Sequence, residues 1–194
     1  MKATLQFRSY LVCLLLVLPF GTAMAEEDDA KYAETIKIFQ DAGESGSFFN
    51  NSYGYAVFPT IGKAGFVVGG AHGKGRVYAG GKHTGDTAMT QLSVGFQAGA
   101  QGYSQIIFFE DQRAYDEFTG GNFEFSADAS AVAITAGASA QAGSTGSSAG
   151  ASGGKKDATT KGSYRKGMAT FTVAKGGLMF EAALAGQKFS YTPL

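Results

Sequence analysis

Hydrophobic and polar positions alternate most cleanly between Leu92 and Gly102. Leu92, Val94, Phe96, Ala98 and Ala100 fall on one side, and Ser93, Gly95, Gln97, Gly99 and Gln101 on the other. A period of two predicts a strand with one core face. Ile106 to Phe109 is an unbroken apolar run, which fits a strand buried on both faces. Tyr55 to Phe58 is a short run of β-formers. Pro59 follows it, and a residue without an N–H predicts the end of a strand. Thr60 to Lys63 then reads as a turn, and Phe66 to Val68 as a second strand that runs into glycines. Arg76 to Gly80 reads as a further strand end and Gly81 to Asp86 as a turn. Near the C-terminus, residues 166–173, 178–184 and 188–192 read as strands; Leu178, Phe180, Ala182 and Leu184 share one face.

Helical spacing occurs once clearly. Tyr32, Ile36 and Phe39 stand at i, i+4 and i+7, which predicts a helix from Asp28 to Ala42, stopped by Gly43. The acids Glu26 to Asp29 suit a helix start. Its apolar stripe can pack on the domain's own sheet or lie on a membrane surface. Glu110 to Phe118 is charged and helix-permissive, and Gly120-Gly121 ends it. The fold expected is a single β-rich α+β domain. It would have a curved antiparallel sheet or a partly closed barrel, with one N-terminal and one short central helix.

From Phe123 to Ala142 large residues give way to Ala, Ser and Gly, with Val132 and Ile134 able to anchor a strand against other backbone. Residues 141–156 are nearly all Gly, Ser, Ala and Thr and predict a flexible loop within the domain.

Composition adds an export reading. Lys2 and Arg8 precede the apolar centre Leu11 to Leu18, and Ala23-Met24-Ala25 is a small-x-small cleavage site, so residues 1–25 read as a cleaved signal peptide. Cys13 lies inside that centre without a lipoprotein box. Cleavage leaves 194 − 25 = 169 residues, 26–194, and removes two of the 16 basic residues. The net charge falls from 0 to −2, and no cysteine remains. That balance gives no general basic field for nucleic acid. Any anionic partner must be met by a local patch.

An enzyme is not predicted. His72 and His83 make a poor start for a zinc site, and they read as solvent-facing loop histidines. Gly146-Ser147-Ser148-Ala149-Gly150 has the letters of a nucleophile elbow but sits in the low-complexity loop. Gly69 to Gly75 is neither a phosphate-binding loop nor a dinucleotide fingerprint. What remains is a glycine-rich stretch, including Gly70 and Gly73, whose N–H groups could form an anion nest. Lys63, Lys74, Arg76 and Lys82 are the cations near it. The alternative reading is a glycine hairpin with solvated basic residues. No metal or other cofactor is predicted.

The stretches AVFPTIGKAGFVVGGAHGKGRVY, LSVGFQAGAQGYSQIIFFED, SADASAV and GMATFTVAKGGLMFEAALAGQKFSY, in this order, resemble the signature of the SYLF domain family. This resemblance implies a lipid-binding, actin-associated domain, found in eukaryotic membrane-trafficking proteins and in secreted bacterial proteins. With a lipid as ligand, the headgroup contacts expected are the cations and glycines of the glycine-rich stretch, Lys63, Lys74, Arg76, Lys82, Gly70 and Gly73, with apolar membrane contact from the stripe Tyr32, Ile36 and Phe39. In eukaryotic members an N-terminal amphipathic segment contributes to phosphoinositide binding; here only Lys31 and Lys37 supply positive charge on it.

The expectation is a non-enzymatic module of the bacterial envelope, periplasmic or secreted, that recognises acidic phospholipid or phosphoinositide headgroups. The alternative is a structural envelope protein or a small outer-membrane β-barrel. Actin ranks last, because an exported bacterial protein meets it only outside its own cell.

Overall fold

The structure is a computed structural model that describes residues 20–65, 68–94, 99–126, 129, 131–134, 162–175 and 184–194. Helix α1 (Phe20–Asp41) is followed by a helical turn, α2 (Gly43–Gly46), and a 3-10 turn at Ser47–Asn50. Strands β1 (Gly54–Gly65), β2 (Val68–Ala79), β3 (Lys82–Val94) and β4 (Gly99–Phe109) come next. Helix α3 (Gln112–Thr119), β5 (Phe123–Glu124), β6 (Val132–Ile134), β7 (Met168–Lys175) and β8 (Gln187–Pro193) complete the described chain. All eight strands form one sheet in the order β5-β8-β3-β2-β1-β4-β7-β6. Every pairing is antiparallel except β6 on β7. The β-rich fold with a curled sheet, an N-terminal helix and a short central helix is the one expected; the parallel β6 makes the sheet mixed.

Curvature is visible in side chains that meet across it. Gln105 on β4 donates to Gln187 on β8 at 3.0 Å. In the sheet order these strands are four steps apart, roughly 19 Å on a flat sheet. Gln187 also donates to the Tyr103 hydroxyl at 3.1 Å. The sheet therefore wraps into a half-barrel. Its concave core contains Phe58, Ile61, Val77, Met89, Ile107, Phe109, Phe118 and Phe189, with α3 over one side. The opposite, convex face has a second core, in which α1 and the 3-10 turn cover Val57, Ile106, Phe108 and Phe171. This is why Ile106 to Phe109 has no polar position: all four are fully buried, alternately on the two faces.

Several boundaries differ from expectation. Pro59 does not end β1. The pairing shifts between Val57 and Thr60, and between Phe58 and Ile61, so Pro59 sits at a bulge, where a ladder N–H is not needed. The Ser104 hydroxyl donates to the Pro59 carbonyl at 2.8 Å. The turn expected over Gly81 to Asp86 is only Gly80-Gly81. Both have positive φ (56° and 75°), the conformation of a two-residue hairpin turn that glycine adopts without cost. Lys82 to Asp86 are already strand. The alternation over Leu92 to Gly102 spans two strands, the end of β3 and the start of β4. Leu92 is 86% exposed, not on a core face. Helix α1 starts upstream of Asp28, so the acids Glu26 to Asp29 lie inside it. Asp111 caps α3 by accepting from the Ala114 N–H at 2.8 Å. The expected strand 178–184 and loop 141–156 fall almost wholly outside the described residues, as do residues 1–19 of the expected signal peptide.

Candidate functional site

The glycine-rich stretch Gly69 to Gly75 is the middle of β2, paired with β1 on one side and β3 on the other. Its N–H groups belong to a regular strand, not to an anion nest. Gly73 faces Ile61 and Gly75 faces Phe58, both on β1. A Cβ at Gly75 would lie 2.6 Å from the Phe58 ring and 2.8 Å from the Val57 carbonyl oxygen. The close approach that the glycines permit is thus to this protein's own core. Gly70 has more room: its nearest atom on the missing Cβ is the Gln91 carbonyl oxygen at 3.7 Å.

The four predicted cations are not brought together. Ala71, Gly73, Gly75 and Val77 line the concave side of β2, so His72, Lys74 and Arg76 stand on the convex side. Lys63 is two residues beyond the buried Ile61 and pairs with Ala71, which puts it on the concave side. Lys82 is beside the Gly80-Gly81 turn. The two histidines are on strands, not loops; His83 is within 3.2 Å of Asp86 and His72 is exposed.

Arg76 has a structural partner. Its guanidinium lies 4.3 Å from the centre of the Tyr32 ring and is paired with Asp29, both on α1. Burial works against its charge, but hydrogen bonds to Asp29 and Tyr78 outweigh it and raise its pKa. Arg76 therefore clasps α1 to the sheet. The stripe Tyr32, Ile36 and Phe39 points the same way: Phe39 is fully buried, and Tyr32 and Ile36 are packed against the convex core. As docked, Phe39 is not available for membrane contact, because the sheet already buries it. A groove of about 350 Å3 beside this clasp contains Lys74 and Arg76, but also Asp28 and Asp86. Its mixed charge does not favour an anion.

Farther along the convex face no described element covers the sheet. Strands β3, β2, β1 and β4 align across it, with β7 beyond. Leu92, Gly70 and Ala64 form one row, paired in turn with Ala100. Thr90, His72, Gly62, Gly102 and Lys175 form the next. Lys74 pairs with Thr60, and the Lys175 ammonium donates to the Thr60 hydroxyl at 2.8 Å. Lys74 and Lys175 therefore flank Thr60. Gly62, Ala64 and His72 are exposed, as is Leu92. Among the described residues the result is a nearly bare sheet surface with a projecting leucine and two lysines behind it. Lys175 and Leu92 were not read as site residues. Lys175 reaches Thr60 only through β4 and β7, and Leu92 looked like a core position.

Residues 90–192, more than half of the chain, match the family model Ysc84, described as Las17-binding protein actin regulator. The chain belongs to the Ysc84 family. This is the SYLF resemblance of the sequence, now shown. Lipid binding and actin association are properties of some Ysc84 members. Beta cell expansion factor A of Aeromonas veronii is 28% identical over 158 residues, 79% of this chain and 51% of that protein. The chain spans about half the length of that relative.

In this Ysc84 domain the tyrosines give a pH signature. Burial pushes the Tyr32, Tyr55 and Tyr164 hydroxyls up to about 12, from an ordinary 10.0, and Tyr103 higher still. The fold thus favours the neutral phenols. Their contribution to stability is fully present below pH 10.0 and is lost as pH rises toward about 12. The expected result is a melting temperature that falls steeply above pH 10.0, with these four tyrosines ionising late in an ultraviolet titration. Ionisation of all eight tyrosines of residues 26–194 as one ordinary class, in the folded state, would contradict this packing.

Proposed function

We propose that this protein is a non-enzymatic domain that binds acidic phospholipid bilayers peripherally, through the uncovered end of the convex face. The observation that carries the reading is Leu92, 86% exposed beside a row of Gly and Ala, with Lys74 and Lys175 set behind it. An apolar residue that projects from a flat surface can enter the headgroup region. Lysines behind it then reach lipid phosphates, each adding about 1 kcal/mol near an anionic surface. Family membership supports the lipid class. Export, with cleavage after Ala25, suits a periplasmic or secreted site of action. It leaves Asp29, Tyr32, Ile36 and Phe39 in place to hold α1 on the sheet. The β-barrel alternative fits less well, since α1 covers much of the face that a barrel would turn to lipid.

The test is co-sedimentation of residues 26–194 with vesicles of phosphatidylglycerol or phosphatidylcholine. Phosphatidylglycerol should bind more tightly, and salt should weaken it. Lys74→Gln with Lys175→Gln should lower that affinity about 30-fold, at about 1 kcal/mol for each lysine. Leu92→Ser should weaken binding to both compositions. Equal affinity for both vesicles in the unaltered protein, or no loss in these variants, would remove the reading.

A further inference from the structure

The concave side has its own opening, distinct from the bilayer-facing surface. It is a cleft of about 160 Å3 between the end of α3, β5 and the start of β7. Phe123, Phe125, Met168 and Leu184 form its apolar walls. Leu184, Phe125 and Met168 are buried in the concave core. The walls are braced by ring contacts, Phe118 to Phe123 at 5.5 Å and Phe125 to Phe189 at 5.6 Å.

The rim is built from a tight turn. Arg165 and Met168 exchange two backbone hydrogen bonds, 2.9 and 3.0 Å. Between them Lys166 and Gly167 both have positive φ, 53° and 81°. Asn, Asp or Gly is the usual residue at the first of these positions, so a lysine there is held in a disfavoured conformation. A Cβ at Gly167 would collide with the Arg113 side chain and Ala114, so the turn is seated on α3. This places Arg165 and Lys166 at the mouth of the cleft. The Lys166 ammonium donates to the Ser126 hydroxyl at 3.1 Å, on the opposite lip. Two acids also line the cleft, but each has a cation beside it: Glu117 pairs with Arg113 at 3.4 Å, which Asp111 shares, and Glu124 with Lys188 at 3.5 Å. Arg165 is exposed and makes no ion pair among the described residues.

We propose that this cleft binds one single-chain anionic amphiphile, its alkyl tail against Phe123, Phe125, Met168 and Leu184 and its head on Arg165. Apolar walls with a few polar groups at the mouth are the ordinary composition of a small-molecule site. The size suits one chain: at about 160 Å3 the cleft is smaller than the roughly 300 Å3 at which sites for drug-sized ligands begin. The head is an anion because, among the described rim residues, Arg165 has no paired acid while Glu117 and Glu124 each have a cation beside them. A carboxylate suits Arg165 in a two-pronged geometry, and a phosphate monoester offers the same oxygens.

The experiment is isothermal titration of residues 26–194 with decanoate, decyl phosphate and decanol, each kept below the concentration at which it aggregates. Decanoate, decyl phosphate or both should bind at one site per chain, at least about 10-fold more tightly than decanol. Whichever binds more tightly identifies the head. Arg165→Gln, at an exposed position, should weaken the anions about 10-fold and leave decanol unchanged. Ala129→Trp, which fills the cleft, should abolish binding of all three; its melting temperature reports whether the fold survives. Lys74→Gln with Lys175→Gln should leave decanoate binding unchanged, so this proposal and bilayer binding fail separately. Decanol binding as tightly as both anions, or anion binding indifferent to Arg165→Gln, would overturn it.

Discussion

Phe108→Ala is expected to lower the stability of this domain by about 3–5 kcal/mol, the usual range for emptying a phenylalanine site in a core. Phe108 is fully buried on β4 and is the hub of the convex core. Its ring lies 5.5 Å from Phe48, 4.9 Å from Phe49, 6.0 Å from Tyr55 and 5.9 Å from Phe171. Phe48 and Phe49 belong to the 3-10 turn that follows α1 and α2. Loss of Phe108 therefore removes packing within the sheet and also the seat of the N-terminal segment. Collapse does not absorb this loss, because the neighbours are rigid rings held at tilted and edge-on angles. Denaturant unfolding should show the loss, and amide exchange should show α1 losing protection with the sheet. A change below about 1 kcal/mol would mean that α1 and its turn do not pack on this face.

Gly75→Val should cost about 3 kcal/mol, at the upper end of the range for overpacking. A Cβ there meets the Phe58 ring at 2.6 Å and the Val57 carbonyl oxygen at 2.8 Å. The ring can turn, but the carbonyl is backbone in the adjacent strand and cannot. Gly62→Val is the matched control in β1, where a Cβ meets nothing within 4 Å. It should change stability by less than about 0.5 kcal/mol. Phe58→Leu combined with Gly75→Val should recover part of the loss, since it relieves the ring but not the carbonyl. Thermal unfolding of the four proteins decides. Equal losses at Gly62 and Gly75 would show that β2 glycines are not set by the approach of β1.

These glycines also show the limit of reading them from sequence. A face without side chains admits either another strand or a ligand, and the glycines do not say which. Here the neighbour is β1, with Phe58 and Ile61, because the bulge at Pro59 keeps β1 running alongside β2. Similarly, Lys74 and Arg76 were expected to act together. They share a face, but α1 crosses it, so Arg76 is occupied by Tyr32 and Asp29 while Lys74 is left beside Thr60, which Lys175 also reaches.

From the sequence alone came the class of fold, the doubly buried strand at Ile106 to Phe109, the helix stripe at Tyr32, Ile36 and Phe39, and the family. Each is written in local periodicity or in a contiguous motif. The tertiary structure alone decided which side chains share a surface. Lys175 meets Thr60, Gln105 meets Gln187, and Arg165 comes to the mouth of a cleft between Phe123 and Leu184. Such meetings depend on strand order and on the curl of the sheet. No period along one strand encodes either.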